Sequence, residues 1–135
     1  MKTIIAICLL IASGLSLSAP VVIGNPAGVD ALSSSEVKKL FLGKLKKLPN
    51  GANPVVIEYP DGTPIRTQFH NAMTNKSEAQ LQAYWSKLIF TGKGTPPKTV
   101  ATAAEVIAEV ANNPNAIGYL DSSEVTASVK VLFKQ

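Results

Sequence analysis

Between Tyr59 and Arg66 the chain reads Tyr-Pro-Asp-Gly-Thr-Pro-Ile-Arg, a turn that leads from an apolar run straight into a helical pattern. A helix entered in this way presents free backbone N–H groups and the positive end of its dipole, which together favour an anion. Thr63 adds a hydroxyl, Arg66 a guanidinium suited to oxyanions, and Asp61 a carboxylate that can accept a proton from a partly protonated phosphate, while Pro64 withholds one donor. These residues name a candidate oxyanion site: Asp61, Gly62, Thr63 and Arg66. The bland reading of the same turn is that Thr63 caps the helix and Arg66 pairs with Asp61.

Other chemistry finds less support. The single histidine, His70, follows apolar Phe69 on an otherwise polar helix and reads as a flank residue without a catalytic role. One imidazole and no usable thiol make a poor zinc set, so no metal and no cofactor is expected. The chain has no Gly-x-Ser-x-Gly elbow, and the nucleophile, base and metal constellation of a small phosphatase or hydrolase is missing. Gly92-Lys93-Gly94-Thr95 superficially resembles a phosphate loop but lacks its spacing and follows a helix rather than a strand. Tyr84 and Trp85 fit an apolar helical stripe and read as core. Asn75-Lys76-Ser77 matches the glycosylation triplet, which matters only in a eukaryotic pathway.

The elements that must position these residues alternate. Pro20 to Ile23 reads as a strand, ended by Gly24, Asn25 and Pro26. Ser33 and Glu36 form a capping box for a helix that buries Val37, Leu40 and Phe41 and stops at Gly43 in a left-handed conformation. After a basic, turn-rich loop from Lys44 to Asn53, the run Val55, Val56, Ile57 and Tyr59 predicts a central strand. Thr63 and Pro64 open a helix with Ile65, Phe69, Ala72 and Met73 at helical spacing. Ser77 and Gln80 open another, whose stripe is Leu81, Tyr84, Trp85, Leu88 and Ile89 and which stops at Gly92. Thr91 to Pro97 is a surface loop. Thr102 and Glu105 box a last helix with Val106, Ile107, Val110 and Ala111 facing the core, ended by Asn112, Asn113 and Pro114. Ala116 to Leu120 and Val129 to Phe133 complete the strands, and the interleaving predicts an α/β layer architecture with some parallel pairing.

Residues 1–18 have the layout of a secretory signal peptide: Lys2, a short apolar run from Thr3 to Ala12, and a small-residue exit with cleavage after Ser18 or Ala19. The run is too short to span a bilayer, so no permanent membrane anchor is expected. Residues 19–135 suffice for one domain. Over the whole chain 13 basic side chains against 9 acidic give a net charge of +4, and Lys2 belongs to the leader. This mild excess, with Lys38, Lys39, Lys44, Lys46 and Lys47 clustered, suits an anionic ligand or acidic surface; export disfavours nucleic acid. The only cysteine, Cys8, lies in the leader. An exported domain without disulfides fits a bacterial periplasm.

Several segments carry a family likeness. Leu32 to Gly43, ending in Phe41-Leu-Gly-Lys44, resembles the second lobe of the substrate-binding proteins of phosphate ABC transporters. Asn113-Pro-Asn-Ala-Ile-Gly-Tyr119 is similar to that family's Asn-Pro-Gly-Ala-Ile-Gly-Tyr signature, with Asn115 in place of glycine. Tyr84-Trp85-Ser86 and Phe90-Thr-Gly-Lys-Gly-Thr-Pro-Pro97 resemble a short, single-lobe branch of the group. The resemblance implies one lobe of a type II periplasmic-binding-protein-like α/β fold, a small mixed sheet of four or five strands flanked by helices. Full-length relatives bind phosphate between two lobes with a Ser-Asp-Gly-Ser-Gly-Thr-like turn, matched here by Asp61, Gly62 and Thr63. The Gly-Thr pair that follows is replaced by Pro64-Ile65, so family donors are lost. The implied function is an exported, non-enzymatic phosphate- or oxyanion-binding protein of the phosphate-transport type with a weak or degenerate site. The alternative is a periplasmic interaction module that kept the scaffold and lost the ligand, working with a homodimer partner, a separate transporter or another periplasmic protein.

Overall fold

The structure is a computed structural model and describes residues 19–134. Residues 1–18, expected from sequence to be a signal peptide, lie outside the described residues. Five strands and four helices alternate: β1 (Pro20–Gly24), α1 (Ser34–Phe41), β2 (Val55–Glu58), α2 (Pro64–Met73), α3 (Glu78–Phe90), β3 (Lys98–Thr99), α4 (Ala103–Asn112), β4 (Ala116–Asp121) and β5 (Lys130–Lys134), with a 3₁₀ turn at Ser122–Glu124. They form one mixed sheet in the order β3-β2-β4-β1-β5. β2 runs parallel to β3 and β4, whereas β1 runs antiparallel to both β4 and β5.

β4 is the central strand, buried from Ala116 to Leu120. The expectation that Val55 to Tyr59 is central needs correcting: β2 lies second from the edge, and its Val55 end is exposed because the two-residue β3, an element not expected from sequence, pairs only with Ile57 and Glu58. A short edge strand preceded by two prolines exposes few unpaired backbone groups.

Successive residues of a strand point to opposite faces of the sheet. Gly118 faces α4, where a β-carbon would come within 2.8 Å of the Val106 side chain. Its neighbour Tyr119 points to the other face, stacked on Phe69 of α2 with ring centroids 3.8 Å apart and edge-on to Phe41 of α1 at 5.5 Å. The sheet is thus sandwiched between α4 and the α1–α2 pair. α3 lies beyond α1, joined to it by the Tyr84 hydroxyl, which donates to the Leu42 carbonyl, and by Trp85, whose ring fits against Gly43.

Helix ends follow the sequence signals with two exceptions. Both halves of the capping box form at Ser33/Glu36 and at Ser77/Gln80. At α4, Thr102 accepts from the Glu105 amide, but the Glu105 carboxylate reaches one residue further back, to the Ala101 amide. Gly43 and Gly92 take the left-handed conformation, with φ of +69° and +68°, and stop α1 and α3. The other end of α4 is closed from a distance: the buried Asn25 amide donates to the Val110 and Ala111 carbonyls.

Gly118→Ala therefore drives a methyl into Val106 at a place where backbone and helix are both fixed. The expected loss is about 1–3 kcal/mol, read as a lower urea midpoint at unchanged slope; a midpoint equal to that of the parent would show that α4 is free to move away.

Candidate functional site

The buried face of α2 is not the one its apolar residues indicate. Arg66, Phe69, His70 and Met73 are buried, while Ala72 is exposed and Ile65 half-buried. These four positions have the i, i+3, i+4, i+7 spacing of a core stripe. His70 is consequently no flank residue: it is 1% exposed. The histidine was misplaced because a polar residue on the stripe was read as breaking it.

What holds His70 in the interior is a buried carboxylate. Glu58, the last residue of β2, accepts through Oε1 from the Tyr59 amide and from the Tyr119 hydroxyl, and its Oε2 lies 2.8 Å from His70 Nε2. His70 Nδ1 in turn meets the Thr74 hydroxyl at 3.0 Å. A buried charge is tolerated when paired and hydrogen-bonded, and Glu58 has three partners. Glu58 belongs to no motif, and Tyr119 entered only as the last residue of the Asn113–Tyr119 signature, with no role assigned to it; the available signal was an acid ending an otherwise apolar strand.

Arg66 is the second buried charge. Its side chain is 8% exposed and its guanidinium is shared three ways: Nη1 donates to the Tyr59 carbonyl at 3.0 Å, Nη2 pairs with Asp61 at 3.0 Å, and Nε lies 3.3 Å from Glu78 Oε2. The Nε–Glu78 approach is an ion pair without hydrogen-bond geometry. Asp61 is 63% exposed and lies at the mouth of the turn. Gly62 takes φ +80°, which reverses the chain. Thr63 does not cap α2 as the sequence indicated; its hydroxyl donates to the Pro60 carbonyl at 2.9 Å. Asp61, Gly62, Thr63 and Arg66 thus occupy one turn, and the Arg66–Asp61 pairing of the bland reading is formed.

The turn opens on a cleft of about 390 Å³ outside the C-terminal ends of β2 and β3, where open α/β sheets carry their ligands. Glu58, Asp61 and Arg66 make its polar side; Leu81, Trp85, Ile89, Pro96 and Pro97 make an apolar wall. Two acids to one arginine leave it without a positive excess. Trp85, read as core, both packs on Gly43 and lines this cleft. Among the described residues no group of three or more His, Cys, Asp or Glu is placed to hold a metal, and no helix is long and apolar enough to cross a membrane.

No protein-family model and no curated protein matches the sequence. Solved structures do match. An ABC-type phosphate transport receptor from Vibrio cholerae superimposes with a TM-score of 0.69 at 16% identity, over 85% of this chain and 45% of the receptor. PstS from Borrelia burgdorferi gives 0.66 at 14%, over 85% and 46%. A Clostridium perfringens protein described as a phosphate ABC transporter substrate-binding protein, solved with bound phosphate, gives 0.65 at 22%, over 85% and 44%. The fold is that of a single lobe of the phosphate-type periplasmic binding proteins, and the chain spans less than half the length of each of these structures.

All three tyrosines keep their protons beyond the ordinary phenol range. Burial pushes Tyr59 from 10.0 up to about 12, helped by the charges of Glu124, Glu58 and Asp121; burial raises Tyr119 further, with Glu58 adding to it, and raises Tyr84. A folded pKa above the unfolded one leaves stability intact below pH 10.0 and removes it as the pH rises through about 12. Ultraviolet titration should show tyrosinate appearing together with alkaline unfolding; a full-amplitude step at the ordinary phenol pKa in folded protein would contradict the burial.

Proposed function

We propose that this chain is an exported, non-enzymatic module that keeps the scaffold of a phosphate-binding lobe and acts through its surface, its inherited oxyanion turn being closed from within. The observation that carries this reading is the occupancy of Arg66. Its Nη1 donates to the Tyr59 carbonyl, Nη2 pairs with Asp61 and Nε lies against Glu78, so an incoming phosphate meets a guanidinium already flanked by two carboxylates. A free oxyanion also meets the negative charges of Glu58 and Asp61 in the cleft. With a single lobe, nothing among the described residues covers the ligand's other side, and binding sites gain their strength by burying most of the ligand. The structural neighbours, named as receptors and binding proteins, support a non-enzymatic role and a periplasmic setting.

One observation favours a weak oxyanion site as the second reading. Because the Thr63 hydroxyl turns back to Pro60, the entry of α2 has no side-chain cap, and its dipole end stays available to an anion. Calorimetry separates the two. On the closed-turn reading, phosphate at millimolar concentration gives no saturable heat, and Asp61→Asn, which removes the exposed partner of Arg66, makes binding measurable. Saturable heat from the unaltered protein, abolished by Arg66→Ala or Thr63→Ala, would establish the oxyanion site instead.

A further inference from the structure

α3 is read from its sequence as burying a continuous stripe to Ile89, and the structure corrects that reading at its last turn. Leu81 and Trp85 are buried, Leu88 is half-buried, Ile89 is 51% exposed and Phe90 is 92% exposed. A nearly naked phenylalanine at the end of a helix is the kind of exposed apolar feature that marks contact with something else.

The surroundings of this tip are ordered and basic. Gly92 and Lys93 close α3 in a Schellman turn: the Gly92 amide donates to the Ile89 carbonyl at 3.1 Å and the Lys93 amide to the Leu88 carbonyl at 2.9 Å. That turn brings Lys93 back beside the last helical turn. Lys87 lies three residues before Phe90, hence on the same side of the helix. Both lysines are exposed, and among the described residues neither has an ion-pair partner, whereas Lys98 is paired with Glu109.

We propose that this end of α3 docks on an anionic lipid surface, with Phe90 and Ile89 entering the interface and Lys87 and Lys93 meeting the phosphate headgroups. The inference rests on the surface-acting reading above and gives that surface its partner. Three features select lipid over protein. Charge selects an acidic partner. An aromatic side chain buries about 150–250 Å², so Phe90 with the half-exposed Ile89 falls well short of the roughly 800 Å² per partner of a stable protein interface. A second copy meeting this tip symmetrically sets one lysine collar against the other. A bilayer interface needs only a small apolar wedge with basic residues around it, and exposed lysines reach the headgroups on their own alkyl stems.

The test is flotation of the purified protein with vesicles of phosphatidylglycerol and phosphatidylcholine, against phosphatidylcholine alone. The protein is expected to float with the anionic vesicles only and to be released by salt. Phe90→Ala should lower partitioning about tenfold at an unchanged melting temperature, since the ring contributes little to the core; Lys87→Glu with Lys93→Glu should remove binding. No flotation with anionic vesicles overturns the proposal. So does flotation indifferent to Phe90, Phe90-dependent self-association in sedimentation, or equal affinity for soluble polyglutamate. Phosphate calorimetry on the same sample keeps the two readings apart: saturable phosphate heat removes the closed-turn reading, whereas loss of flotation without phosphate heat removes only the lipid partner.

Discussion

A carboxylate buried at the end of β2 is the constraint around which this lobe is assembled. Glu58 must find compensation for its lost hydration, and it draws that compensation from three places: the amide of Tyr59 just after its own strand, Tyr119 of β4 and His70 of α2. An acid in this position without those partners is strongly destabilising, so the strand pairing, the placement of α2 and the orientation of Tyr119 are specified together. Tyr119 then serves twice, since the ring whose hydroxyl reaches Glu58 is stacked on Phe69 and edge-on to Phe41. Polar satisfaction and aromatic packing are two ends of one side chain.

The same logic extends to the turn after β2. Arg66 lies one helical turn before His70 on the buried face and needs acceptors as much as Glu58 needs donors. It finds them in the Tyr59 carbonyl and in Asp61, with Glu78 set beside its Nε, so the turn after β2 and the start of α3 are tied to α2 through one side chain. The Thr63 hydroxyl is likewise satisfied inside the turn, by the Pro60 carbonyl. The cleft beside it keeps its shape because Leu81 and Trp85 are anchored, Trp85 against the one residue, Gly43, whose missing side chain leaves room for the indole.

Much of the fold was legible because it depends on local chemistry. Ser33, Ser77, Gly43 and Gly92 marked helix ends through hydrogen bonds that span only a few residues, and the apolar runs marked four of the five strands. The site was legible as a turn but not as a network. Glu58 and Tyr119 are 61 residues apart in sequence, and nothing local announces that they meet. His70 and Arg66 were discounted as core because hydrophobic periodicity cannot count a polar residue whose partner lies on a distant strand. Ile89 failed in the opposite sense: its spacing continued the stripe, but the stripe outlasted the surface available to cover it.

The position of β1 carries a consequence for how the chain acquires its shape. Val21, near the start of the domain, lies between Leu120 on one side and Lys134 on the other, so the strand that comes first in sequence is completed by the strands that come last. Contacts of that span are slow to form, because a long loop must close before any of them is rewarded. A chain arranged in this way has no stable place for its leading strand until nearly all of it is present. Closure of the sheet is therefore the step that joins the two ends of the described chain, and it waits on the segment that carries β5.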